Sequence, residues 1–524
     1  MSKRVIIYLG LFLLAQGAFS QNRLGSLLAD AEELVQDWRY EEAEGLIREI
    51  ESLADQEKNS IVKFQAYSYL AKHYFYLGDY KDGYNRAKEA RELGIKGDKD
   101  FEEFYSRLGY LAELFSSAKE ETSVHFRIRW VNPKDRVLVE PGLEVLEKAY
   151  QVLSRDFNFY PAGEKILVEI YPGVSELGVA VGLEEQMLRD SGTIAVCKYR
   201  RIMMVSPRAL AFGYDYLTTL SHELVHFFIY ARNGDTVALW LHEGLAKYME
   251  TAYLGKTGEL GLISQSFLVS AIKNNELITF EQMSPTFAKF KTPKQGQLAF
   301  AEVCTMVGYI RERCGEDSWI EILDLSRQKK SDKLVVEEVC GESFSALWEG
   351  WKSWVLSKNW KELPGAMVLK MEFKEQSGEV KEDEVLESGK AGEYARLGDL
   401  LRDRGEYQAS AVEYKKALSY DPYHPKLLNK LGLALLLSGD YKSSIETFSK
   451  LIKFHPTYST GFVNLGLAYL GAGKEEEAIG AFERALELNP FNPTSYQKLI
   501  EIYFKNGEKG SAEKMKERLE IIKG

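Results

Sequence analysis

Two short stretches of this chain carry residue types that bind metal and move protons. The first is His222-Glu223-Leu224-Val225-His226; the second is Trp240-Leu241-His242-Glu243-Gly244, whose Glu243 follows His226 after sixteen intervening residues. Leu220, Leu224, Val225, Phe227, Phe228 and Ile229 around the first stretch predict a largely buried helix. Residues four apart on a helix lie one above the other, so both imidazoles can reach one tetrahedral ion, with Glu223 beside them where an attacking water would lie. A His-Glu-x-x-His run alone also arises by chance, as two hydrogen-bonded histidines of a core helix. The second stretch decides against that. Asn233-Gly234-Asp235 supplies a turn that lets two helices run antiparallel and returns Glu243 towards His222 and His226. Two histidines and one glutamate leave the fourth position of a zinc ion open, which marks a catalytic rather than a structural site.

The two stretches, read as far as Leu245-Ala246, resemble the gluzincin metallopeptidases, in particular the peptidase MA-like domains related to aminopeptidase N. The resemblance implies one Zn2+ per chain, His222, His226 and Glu243 as its ligands, and Glu223 as general base. It also gives meaning to two apolar runs that read as strands, Ile166–Tyr171 and Ile202–Val205, the latter expected to be the edge strand laid beside a peptide substrate. Glu250 lies seven residues past Glu243, on the same helical face, and reads either as an acceptor behind a ligand imidazole or as an ordinary solvated glutamate. His242 points about a quarter-turn or more away from its neighbour Glu243, and reads as a neighbour or substrate contact rather than a fourth ligand.

The chain departs from the family pattern in three places. Its spacer is a little shorter. At Phe300, within Leu298-Ala299-Phe300-Ala301-Glu302, the related aminopeptidases carry a tyrosine whose hydroxyl steadies the tetrahedral oxyanion. Losing one such donor costs on the order of 100–1000-fold in rate; Tyr309, Tyr253 and Tyr248 are the hydroxyls considered as substitutes. A Gly-Ala-Met-Glu-Asn segment is absent from the sequence, so aminopeptidase specificity does not carry over.

These residues need elements to hold them, and a chain of 524 residues supplies several domains. The expected fold is mainly α: an α+β zincin-type domain over 119–362, an α-solenoid of tetratricopeptide repeats over 391–524, and a helical, tetratricopeptide-like region over 21–118. A charged linker spans 363–390. The repeat period is explicit: Leu397-Gly398, Leu431-Gly432 and Leu465-Gly466 recur every 34 residues, in step with Gly405, Gly439, Gly473 and Gly507 and with Pro422, Pro456 and Pro490. At the other end, Tyr69–Tyr80 reads as a repeat helix and turn, and Trp38–Ala43 as an earlier turn. Val124–Trp130 and Val137–Val139 read as further strands, and Trp348, Trp351 and Trp354 as one helix packing its aromatic side into a core.

The amino terminus places Lys3-Arg4 before an apolar run to Ala15 and then Ala18-Phe19-Ser20, the order of a secretory signal cut after Ser20. The expectation is an exported protein, periplasmic or secreted, with no stable membrane insertion; Gln21 stands where a lipoprotein would need cysteine. A net charge of -11 and a pI near 5.5 argue against nucleic acid as a partner. Of Cys197, Cys304, Cys314 and Cys340, only Cys314 with Cys340 stands out as a pair, against the weightier reading of free buried thiols. Two functions follow. One is an exported zinc metallopeptidase acting on a peptide or protein substrate, with repeats that bind a protein partner; the other is a weakly active or inactive peptidase-like scaffold whose repeats carry the function.

Overall fold

The computed structural model describes residues 23–374, apart from 37–38, 96–98, 162, 285, 291, 329–330 and 369, and residues 389–524. The signal-like leader, Trp38 and most of the charged linker lie outside the described residues. The chain opens with α1 (Arg23–Gln36), α2 (Tyr40–Ala54), α3 (Ser60–Leu77), α4 (Tyr80–Glu92) and α5 (Lys99–Leu114). Asn59 starts α3 by accepting hydrogen bonds from the amides of Ile61 and Val62. Gly78 ends it at φ +79°, where a side chain would also meet Leu167 at 2.5 Å, so only glycine lets α3 press this close to the sheet beneath.

That sheet consists of β1 (Lys119–Thr122), β2 (Phe126–Trp130), β3 (Ile166–Tyr171), β4 (Ala195–Lys198) and β5 (Arg201–Val205), in the spatial order β1-β2-β3-β5-β4. The three inner strands are parallel, and the two edge strands antiparallel to their neighbours. β3 is buried along its whole length. Between the strands come α6 (Val139–Asp156), α7 (Val174–Val181) and α8 (Glu185–Ser191). One face of the sheet packs on α6; the other is covered by the amino-terminal helices, where Tyr80 and Tyr171 both donate to the buried Glu169, at 2.7 and 2.9 Å. The amino-terminal region is therefore the second wall of the sheet.

Two strand expectations are corrected. Val137–Val139 is helical: Asn132 caps a 3-10 turn over Pro133–Leu138, with Pro133 in the first helical position, and the turn runs directly into α6. Ile202–Val205 lies inside the sheet, paired with β3 on one side, and the edge beyond it is β4.

After the sheet the chain is helical: α9 (Tyr216–Asn233), α10 (Leu239–Met249), α11 (Leu262–Asn274), α12 (Phe280–Met283), α13 (Pro293–Cys314), α14 (Ser318–Ser326), α15 (Asp332–Cys340) and α16 (Phe344–Ser357). Trp351 of α16 is fully buried, and its indole donates to Thr305 Oγ1 at 3.1 Å. Cys314 and Cys340 form a disulfide, against the free-thiol reading; Cys197 and Cys304 are free and buried.

Four helix pairs follow: α17 (Gly389–Asp403) with α18 (Tyr407–Tyr420), α19 (Pro425–Leu437) with α20 (Tyr441–Phe454), α21 (Ser459–Gly471) with α22 (Glu475–Leu488), and α23 (Pro493–Lys505) with α24 (Lys509–Lys523). Gly405, Gly439, Gly473 and Gly507 turn each pair at φ between +73° and +80°. Gly398, Gly432 and Gly466 lie under the rings of Tyr414, Phe448 and Phe482, with room for no more than a hydrogen. This array grips the loop before α9: Ser459 Oγ donates to the Phe212 carbonyl (2.6 Å), Tyr458 stacks on Phe212, and Arg484 pairs with Asp215 at 3.0 Å. Among the described residues, no helix is long and apolar enough to cross a membrane.

Candidate metal centre

Asp215 begins α9 by accepting the amide of Thr218 at 3.1 Å, and the helix ends at Asn233, with Gly234 at φ +62°. A short connection leads back into α10. Gly244 lets α10 lie against α13 with almost no gap, since a Cβ there would stand 2.8 Å from the Val303 carbonyl. The sequence-predicted antiparallel pair thus forms, with Glu243 on the face towards α9.

The result is a tight triad. His222 Nε2 and His226 Nε2 are 3.2 Å apart, and Glu243 Oε2 lies 3.7 and 3.5 Å from them. Among the described residues, His222, His226 and Glu243 alone form a group of three metal-ligating side chains, one donor atom from each lying within 4.8 Å of the others. Nitrogens bound to tetrahedral zinc at 2.0–2.1 Å stand roughly 3.3 Å apart, so the observed spacing fits such an ion.

The outer nitrogens are also held. His222 Nδ1 meets Glu250 Oε2 at 3.0 Å, and His226 Nδ1 meets His242 Nδ1 at 2.6 Å. Partners of this kind fix the ring orientation and turn each Nε2 inward. Glu250 therefore stands behind His222, and it is itself paired with Lys247. His242 is buried behind His226, and its Nε2 has no hydrogen-bond partner among the described residues. Tyr309 does not reach the triad: its hydroxyl lies over Gly350 and its ring packs on Trp354. The Tyr248 hydroxyl faces Arg311, and that of Tyr253 faces Thr218. Phe300 does stand at the site, its ring edge-on to His222 with centroids 6.2 Å apart.

The electrostatics favour a cation. Burial opposes a charge on His222, but hydrogen bonds to Glu243 and Glu250 outweigh it and push its pKa up to about 10. Burial likewise works against the Glu243 carboxylate, yet His226 and His222 hold it well below the usual range. Burial lowers His242 strongly, keeping it neutral. Glu223 is raised, first by burial, with the backbone amide of Cys197 in β4 among the groups that act against the rise. Sequence reasoning missed this last neighbour, because a backbone amide leaves no mark in residue type.

Two comparisons bear on these elements. The Peptidase MA superfamily model matches residues 163–357, which include two of the three inner strands, β3 and β5, the edge strand β4 and the whole triad. The chain carries a Peptidase MA superfamily domain. Tetratricopeptide models match 398–439 and 460–492, so the Peptidase MA domain is followed by repeats of that type. Solved structures similar to part of the chain include the MamA protein (30% identity, 26% of this chain and 73% of that one, TM-score 0.25). Others are a thermophilic tetratricopeptide protein of Thermus thermophilus (25%, 25% and 72%, 0.23) and the first tetratricopeptide domain of human RPAP3 (24%, 24% and 97%, 0.22). No curated protein matches the chain.

Proposed function

We propose that this chain is an exported zinc metallopeptidase. The observation that carries the reading is the convergence of His222 Nε2, His226 Nε2 and Glu243, with both outer imidazole nitrogens already engaged. These three residues would hold the ion. When bound, zinc supplies Lewis acidity, bringing a water's pKa towards neutrality and polarising a scissile carbonyl. Glu223 takes the proton of the attacking water and passes it to the leaving amine. Its burial suits it to that task, because a carboxylate raised above the ordinary range is the stronger base. The open edge of β4, beside Glu223, offers backbone groups to an extended peptide. Export is supported by the leader-like amino terminus and by a disulfide, which persists in oxidising compartments. The tetratricopeptide repeats would bind a protein partner.

Phe300 supports a second reading, a peptidase-like scaffold of low activity, because the aromatic side chain beside His222 has no hydroxyl. One experiment separates the two. Glu223→Gln should keep zinc and abolish cleavage of an unfolded protein by the full chain; a zinc-loaded parent that cleaves nothing would favour the scaffold.

A further inference from the structure

The turn between β4 and β5 is built from residues that do not suit it. Tyr199 and Arg200 both sit at φ +57°, the left-handed region that two-residue hairpin turns require and that Asn and Gly usually fill. Non-glycine residues persist there when their surroundings hold them. Here the surroundings belong to the amino-terminal helices. The Tyr199 ring stacks on Tyr76 at the end of α3, with centroids 4.7 Å apart and planes within 12°. It meets Phe75 edge-on at 5.1 Å. Arg201, the first residue of β5 and almost wholly buried, donates to the carbonyls of Phe75 and Tyr76 and pairs with Glu169 at 3.2 Å. The turn is clamped from one side.

This clamp bears on the site through register. Val205 donates to the Ile194 carbonyl at 2.8 Å, and alternation along an antiparallel pair makes Val196–Met203 and Lys198–Arg201 the hydrogen-bonded partners. The amide of Cys197 therefore points away from β5, out of the edge of the strand that packs against α9. A slip of one residue would swap inward and outward amides and change which backbone groups that edge presents. We infer that the amino-terminal helical region is a positioning element of the catalytic domain: Tyr76, by stacking on Tyr199, fixes the β4–β5 register and thereby the backbone groups that β4 presents at the edge beside α9, the helix that carries Glu223. The inference rests on the peptidase reading for its consequence in catalysis. Its structural half stands without it.

The test uses two free buried thiols of the full chain, Cys197 in β4 and Cys304 in α13. Their modification by a thiol reagent, followed by mass spectrometry in the same molecules, reports release of the edge strand against general loosening. Tyr76→Ala should raise the Cys197 rate at least tenfold while leaving Cys304 at the parental rate. Tyr76→Phe, which keeps the ring, should restore parental labelling. Tyr199→Gly, which loses the ring but relieves the left-handed backbone and so folds readily, should also expose Cys197. In peptide hydrolysis, Tyr76→Ala should lower kcat at least tenfold with zinc content unchanged, and Tyr76→Phe should recover it. Parental Cys197 labelling in both Tyr76→Ala and Tyr199→Gly overturns the inference, as does Cys304 rising in parallel. Labelling needs no turnover, so a parent without peptidase activity would sink the peptidase reading and leave this result to be judged by itself.

Discussion

Replacing Phe300 by tyrosine adds one oxygen to a ring that already stands edge-on to His222. The ring is half-buried and also touches Phe287 at 5.0 Å, so the substitution keeps its packing and leaves the new hydroxyl a polar outlet. That hydroxyl can donate to the oxyanion of a carbonyl attacked at the triad. An evolved donor of this kind contributes on the order of 100–1000-fold in kcat. A hydroxyl placed by substitution alone falls short of that, so the expected gain is about tenfold or more, roughly 1.4 kcal/mol of barrier. The donor acts on charge that develops only in the transition state, so kcat should rise with KM nearly unchanged. The assay is steady-state hydrolysis of an unfolded protein or a quenched peptide by Phe300→Tyr at matched zinc content. A variant whose kcat stays at or below the parent's would refute the argument, as would a gain confined to KM.

Asp135 is fully buried, donated to by Ser206 at 2.6 Å, and burial pushes its pKa up to about 6 against the pull of Ser206 and Arg208. A carboxyl raised on folding stabilises fully below about pH 4 and loses that contribution as pH rises through 6, so the stability advantage of the parent over Asp135→Asn should shrink by on the order of 2–3 kcal/mol between pH 4 and 7.5 in urea unfolding. Gly466→Ala would drive a methyl to 2.6 Å from the fully buried Phe482 ring and should destabilise by about 1–2 kcal/mol; Gly480→Ala, with open space around it, should stabilise by up to about 1 kcal/mol, and thermal denaturation orders the pair. Removing the Cys314–Cys340 disulfide, which spans 26 residues, should cost about 3 kcal/mol, seen as a lower Tm in reductant.

The triad was legible because helical spacing is a strict rule: positions four apart share a face, and a turn signal at Asn233-Gly234 fixes the return of Glu243. The repeats were legible for a similar reason, since each of the first three periods keeps its glycine under an aromatic ring. What eluded the sequence depends on neighbours far along the chain. Ile202–Val205 reads as a strand, but a continuous apolar run belongs inside a sheet, buried on both faces, and the true edge is the half-exposed Ala195–Lys198. Val137–Val139 is β-branched at both ends yet follows a capped proline turn, and that local start signal overrides strand propensity. Tyr309 has a hydroxyl that periodicity cannot aim, and it faces α16. The pairing of Arg484 with Asp215, like the seat of Tyr199 on Tyr76, joins segments whose proximity only the folded chain creates.

The most direct test of the account is metal analysis of the full chain after exposure to zinc and dialysis, repeated for His222→Ala, His226→Ala and Glu243→Ala. The account predicts about one zinc per parent chain and its loss in each variant. A parent that retains no zinc, or a Glu243→Ala variant that binds it as tightly as the parent, would contradict the claim that these three side chains share one ion.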